Sequence, residues 1–170
     1  MNDLELYEKT VKFLIESKSI QVISNGVIAH SVILIREMIK NANYNIRIFC
    51  NRLNSQVYAD SGIIDAIKLA LSKEVDINIV IQQSEIDEGS SALKKLLGTE
   101  RIKTVFDCPP LAQQPLNFCI VDDGLMYRLE PDKKRPCAKA CMNAKEDQSI
   151  QSIIQSFINI WDNIAQPLEN

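Results

Sequence analysis

The stretch Pro115-Leu116-Asn117-Phe118-Cys119-Ile120-Val121-Asp122-Asp123-Gly124-Leu125-Met126-Tyr127-Arg128-Leu129-Glu130 decides how the rest of the chain is read. Two short apolar runs flank Asp122, Asp123 and Gly124, which is the pattern of a strand, a tight turn and a second strand. Asp-Gly favours a two-residue hairpin turn because glycine accepts the positive φ that such a turn demands. Phe118, Ile120, Leu125, Tyr127 and Leu129 supply strand-type bulk, and Arg128 and Glu130 alternate with them. Any functional cleft is expected to have these strands as its floor.

Upstream, the rhythm is helical and then alternating. Leu4, Tyr7, Val11, Leu14 and Ile15 recur at spacings of three and four with Glu5, Glu8, Lys9 and Lys12 between them, an amphipathic helix over 4–17. Ile20 to Ser24 reads as a brief strand or an extended connector. A second helix over 31–42 buries Ile35, Met38, Ile39 and Ala42, and Asn41 to Asn45 ends it in a polar turn. Ile46 to Cys50 is a strand, Ser61 opens a helix burying Ile64, Ile67, Ala70 and Leu71, and Asp76 to Gln82 is a second strand. Gly89-Ser90-Ser91 starts a short helix that Gly98 ends, and Lys103 to Phe106 forms a third strand. Strand, helix, strand, helix, strand is the order that right-handed crossovers lay onto a mainly parallel sheet.

Downstream the hairpin follows Cys108-Pro109-Pro110 without a helix, so part of the sheet must be antiparallel. Asp132 to Arg135 is a charged loop and Pro136 to Met142 one more strand. Asn143 and Glu146 form a capping box for a helix over 146–165 carrying Ile150, Ile153, Ile154, Phe157, Trp161 and Ile164 on one face. That face is a principal stabiliser, and Trp161→Ala should cost ~3–5 kcal/mol if the ring is buried.

At 170 residues and 46% hydrophobic content, the chain supports one sizeable core and not two. A formal net charge of -3 argues against a nonspecific nucleic-acid binder, although a local basic strip could bind one. Five cysteines without a dense framework do not suit a disulfide-stapled secreted domain. Met1-Asn2-Asp3-Leu4-Glu5 carries acid where a signal peptide carries positive charge, and no apolar run is long enough to span a bilayer. A cytoplasmic protein without membrane contact is therefore expected.

The order of elements over roughly residues 30 to 165 resembles a phospholipase D-like domain. The resemblance rests on Asn45-Ile46-Arg47-Ile48, the strand near 76–82, Asn117-Phe118-Cys119-Ile120-Val121-Asp122-Asp123-Gly124, Tyr127-Arg128-Leu129-Glu130, Asn143 and Phe157-Ile158-Asn159-Ile160-Trp161. It implies an α/β fold, a mixed sheet flanked by helices in a single domain over 30–166, preceded by a helix and connector over 1–29. The family's strand motif is histidine, any residue, lysine, four residues, aspartate; histidine attacks phosphorus and lysine holds the phosphoryl oxygens. The aspartate maps onto Asp122, which sets Pro115 at the histidine and Asn117 at the lysine, while Asn143 corresponds to a downstream asparagine. Proline cannot be a nucleophile, and asparagine cannot supply positive charge. The resemblance thus implies a degenerate motif in an interaction or regulatory module that needs no cofactor. Inactive members often pair through the active-site face, so a homodimer or a protein partner is expected through this region. Some of Leu116, Phe118, Leu125, Met126 and Tyr127 must be core, since alternate strand residues face opposite ways, and the others are available to a partner.

The alternative is a phosphodiesterase or nuclease that has moved its chemistry to carboxylates. Asp122 and Asp123 would serve as acid and base or as magnesium ligands, with Glu130 returning toward them across the hairpin. Adjacent strand residues point to opposite faces, so a shared ion needs the turn to redirect one of them. The run Lys133-Lys134-Arg135 with Lys139, extended by Arg101 and Lys103 if the strands are neighbours, is the local candidate for an anionic partner; a solvated loop is the simpler reading. His30, the sole histidine, precedes a helix and suits a capping or surface role. Cys137 and Cys141, with Cys108, Cys119 and Cys50, could approach a zinc ligand set, though cysteines are as readily small core hydrophobes. No glycine-rich phosphate loop or nucleophile elbow is present.

Overall fold

The computed structural model describes residues 2–82, 91–105, 117–130 and 138–163. In chain order the elements are α1 (Asp3–Glu16), β1 (Val22–Ser24), α2 (Ile28–Lys40), β2 (Asn45–Cys50), α3 (Ser55–Tyr58), α4 (Ser61–Ser72) and β3 (Asp76–Ile81). They continue with α5 (Ser91–Leu97), β4 (Ile102–Val105), β5 (Asn117–Val121), β6 (Met126–Glu130), β7 (Lys139–Cys141) and α6 (Gln148–Asn163).

The strands form one mixed sheet in the order β1-β7-β6-β5-β2-β3-β4. β2, β3 and β4 are parallel, as the helix-linked alternation requires, and β5, β6, β7 and β1 are joined antiparallel. Val22 to Ser24 resolves from connector to edge strand, paired with Cys141 to Lys139. Because strand side chains alternate, each strand feeds two cores. Ile46, Ile48, Ile77, Ile79, Cys119, Val121 and Met126 meet α2 and α4 on one face. Phe49, Val80, Phe118, Ile120 and Tyr127 meet α6 on the other. α1 lies outside α2, held by the fully buried Val11 and Leu14, by a parallel stack of Tyr7 on His30 with ring centres 3.9 Å apart, and by Arg36 bridging Glu8 and Glu37.

Several local expectations are corrected. The helix expected from Ser31 begins at Ile28, so His30 lies in its first turn. The short α3, capped by Asn54 through the Gln56 amide, is too brief to show a period. The hairpin turn is not a two-residue turn: Val121 pairs with Met126, which leaves four residues between them. Asp122 and Asp123 both take left-handed backbone (φ 51 and 54) and Gly124 follows at φ 92. Aspartate is among the few side chains that tolerate this region, and at Gly124 an added Cβ would lie 2.8 Å from Ile154 Cδ1. The capping box over Asn143 and Glu146 does not form. Asp147 caps α6 instead, accepting from the amides of Ser149 and Ile150, while Asn143 donates to the Lys18 carbonyl. α6 buries Ile150, Ile154, Phe157 and Ile160; Trp161 is only half-buried, stacked on Phe157. Ile164 lies outside the described residues. No helix among the described residues is long and apolar enough to cross a membrane.

Candidate functional site

The β5–β6 hairpin has two polar ends, and the predicted site residues divide between them. At the turn, Asp122 is 1% exposed and its carboxylate accepts from the backbone amides of Asn43, Tyr44 and Asn45 and from the Asn43 side chain, at 2.8–3.3 Å. This single side chain fastens the turn to the start of β2. Asp123 points elsewhere, to the Arg47 guanidinium and the Asn45 amide. Burial opposes its ionisation, but the bonds from Arg47 and Asn45 prevail and hold its carboxyl below the usual aspartate range.

The pairing register carries Glu130 to the other end of the hairpin, opposite Asn117. At about 3.4 Å per residue, the length of β5 separates it from the aspartates by roughly 14 Å. The expected cluster of Asp122, Asp123 and Glu130 is therefore not assembled. Asn143 follows β7 at the turn end, where the next amide, of Ala144, binds the Leu125 carbonyl, so it too is remote from Asn117. Asn117 accepts the Asn51 amide through Oδ1 at 2.8 Å and ties β5 to the end of β2. Pro115, Leu116, Cys108, Cys137, Lys133, Lys134 and Arg135 lie outside the described residues.

The remaining candidates also part. Lys139 is on β7, whereas Lys103 is on β4 at the far edge and Arg101 just precedes it, so these two do not extend a basic strip from Lys139. Arg101 is engaged by Asp76 and Glu74. Cys50 and Cys119 are buried on the α2 face and Cys141 on the α6 face. Burial pushes the Cys50 and Cys119 thiols up to about 12, Cys119 adding to the effect on Cys50 and Arg128 opposing it on Cys119. Such thiols are poor nucleophiles and poor ligands. Among the described residues no group of three or more histidine, cysteine or acidic side chains is arranged to hold a metal ion. Met126, Tyr127 and Phe118, offered above as a partner surface, are all core.

At the open end lies a constellation the sequence did not announce. Arg128 is buried in the middle of β6, opposite Cys119 and Ala140, with its guanidinium directed at the α2 layer. Nε donates to Asn25 Oδ1 at 3.2 Å, one terminal nitrogen to Ser31 Oγ at 3.0 Å, and the other to Glu130 at 3.2 Å. Asn25 and Ser31 are themselves buried, while the Glu130 side chain is 49% exposed. The Tyr7 hydroxyl bonds the Ser24 carbonyl alongside; burial pushes it up to about 12, against the pull of Arg128. α2 runs antiparallel to β2, so its first turn, Asn25, the end of β2, the start of β5 and the end of β6 share one edge of the sheet. Crevices in α/β sheets lie along the edge where the parallel strands end.

No protein-family model matches this chain, and no curated protein does. Solved structures do match in fold. TrmBL2, an archaeal chromatin protein whose structure shows a novel mode of DNA binding, superposes at TM-score 0.61 with 13% identity over 94% of this chain. This chain spans 60% of that one's length. Nuc from Salmonella typhimurium, a phospholipase D family member, aligns at TM-score 0.55 and 18% identity over 85% of this chain and 94% of its own. NucT from Helicobacter pylori gives 0.57 and 13% over 84% and 94%. The likeness is one of fold, an α/β domain with a mixed sheet flanked by helices.

Proposed function

We propose that this chain is a catalytically degenerate phospholipase D-like domain that works through binding, as an interaction or regulatory module in a homodimer or with a protein partner. The observation that carries this reading is Asn117. At the position that the resemblance assigns to a phosphate-holding lysine stands a neutral amide, and its oxygen is committed to the Asn51 backbone. Asp122 supports it: a carboxylate walled in by backbone amides has no route to a substrate. The rival reading, chemistry moved to Asp122, Asp123 and Glu130, loses its support once the hairpin separates them.

The surface for a partner moves as well. Among the described residues, seven of the exposed large hydrophobic side chains, Leu4, Leu6, Phe13, Ile20, Val22, Val27 and Ile28, fall on the stretch from α1 through β1 to the first residue of α2. The likeness to a DNA-binding chromatin protein makes nucleic acid a second partner to test.

The test offers purified protein a generic phosphodiester, single- and double-stranded DNA and RNA, with magnesium, manganese and zinc in turn. No turnover is expected. Turnover that survives purification and vanishes in both Asn117→Ala and Glu130→Ala, with folding intact, would overturn the reading. Sedimentation over a concentration series, with Phe13→Glu beside the wild type, reports assembly; a monomer throughout would remove the homodimer.

A further inference from the structure

We propose that Arg128, Asn25 and the open first turn of α2 form a binding site for a small ligand bearing a terminal phosphate, with Glu130 as the internal occupant that the ligand displaces. Four observations converge on it. Arg128 is a buried cation whose inner hydrogen bonds go to two neutral side chains, Asn25 and Ser31, so among the described residues its charge is met by the half-exposed Glu130. Asn25 is 1% exposed, and its Nδ2 has no hydrogen-bond partner among the described residues. Its Oδ1 accepts from Arg128 Nε, so the side chain that carries the orphan Nδ2 belongs to the same cluster. Val27, at the cap position of the thirteen-residue α2, provides no side-chain bond, so the first-turn amides of Ile28, Ala29 and His30 lack an intrahelical acceptor.

The chemistry of these donors selects the ligand class. They are a guanidinium, a side-chain amide and a helix N-terminus, each of which favours negative oxygen. A carboxylate offers two oxygens, and the one now present leaves Asn25 Nδ2 unfilled. A terminal phosphate offers three acceptor oxygens and more charge. A phosphodiester within a polymer has only two free oxygens. The cluster is buried apart from Glu130 and a rim at Gly26 to Ala29, which suits a terminal group better than the interior of a polymer. The inference goes beyond the non-catalytic reading, because it concerns binding at Arg128, and a phosphodiesterase assay would neither require nor exclude it.

Calorimetric titration of the whole chain with inorganic phosphate and with glycerol phosphate tests it, with acetate and an oligonucleotide lacking terminal phosphates as controls. Both phosphates should bind, neither control should compete, and Glu130→Gln should bind phosphate about fivefold more tightly, as removal of one nearby negative charge predicts. Arg128→Gln and Asn25→Asp, if circular dichroism shows them folded, should lose binding. If neither folds, Glu130→Gln decides alone, since its side chain is half-exposed and the variant should retain the fold. Absence of phosphate binding in both wild type and Glu130→Gln, unchanged or weaker binding in that variant, or equal competition by acetate or the oligonucleotide would overturn the proposal.

Discussion

The two ends of one hairpin bury opposite charges in opposite ways. At the turn, Asp122 takes its partners from three consecutive backbone amides and one side chain, and among the described residues no buried side-chain polar atom at the turn lacks a partner. At the open end, Arg128 leans on two neutral side chains and one half-exposed acid, with an unpaired amide nitrogen alongside. A buried charge fully met by backbone belongs to the fold, because no ligand could improve on its contacts. A buried charge partly met by side chains still has binding capacity. The difference separates structure from function along a single pair of strands.

The largest expected effect is at the turn. Asp122→Ala strands four donors in a buried site and should cost ~3–5 kcal/mol in denaturant unfolding. A loss below ~1 kcal/mol would show the turn does not need its anchor. Phe157→Ala supplies a benchmark of the same size, ~3–5 kcal/mol from core burial, whereas the half-buried Trp161→Ala should cost about half as much. At the open end Arg128→Met should cost only ~1–3 kcal/mol, since it strands two neutral groups and leaves Glu130 free to hydrate. Should it equal Asp122→Ala, the contrast between the two ends would be broken. Asp147→Ala, removing a helix cap, should cost ~1 kcal/mol.

Acid sharpens the contrast further. The Asp123 carboxyl is held below its ordinary range despite burial, by Arg47 and Asn45, and Asp147 likewise by its bonds from Ser149. A carboxylate depressed on folding stabilises above its unfolded value, and that contribution is lost as pH falls through the folded value. Stability should therefore fall on acidification below the ordinary aspartate range, and Asp123→Asn should flatten that part of the profile. An unchanged acid profile in Asp123→Asn would remove Asp123 from the account.

Much of the fold was legible because it rests on local periodicity: the parallel strands from their intervening helices, the hairpin from its apolar runs, and α6 from Ile150, Ile154 and Phe157. What failed depended on register and distance. Glu130 could be placed near the aspartates only while the turn's reach was unknown; the pairing of Asn117 with Glu130 excludes it. Asn143 matched a capping pattern, but Asp147, four residues on, sits where the helix amides emerge. Arg128 was read only as a charged residue alternating with apolar ones along a strand. In a sheet covered on both faces, a central strand has no wet position, and an arginine there must be buried whichever way it points. Its partners Asn25 and Ser31 lie about a hundred residues away in sequence, beyond any local motif.

The contrast between the two ends is tested most directly by following amide and side-chain resonances during a titration with inorganic phosphate. The Asn25 side-chain amide, the Arg128 Nε–H and the first-turn amides of α2 should shift in a saturable way, while the amides of Asn43, Tyr44 and Asn45 around Asp122 stay still. Shifts at residues 43–45 with none at Asn25 and Arg128 would contradict the account.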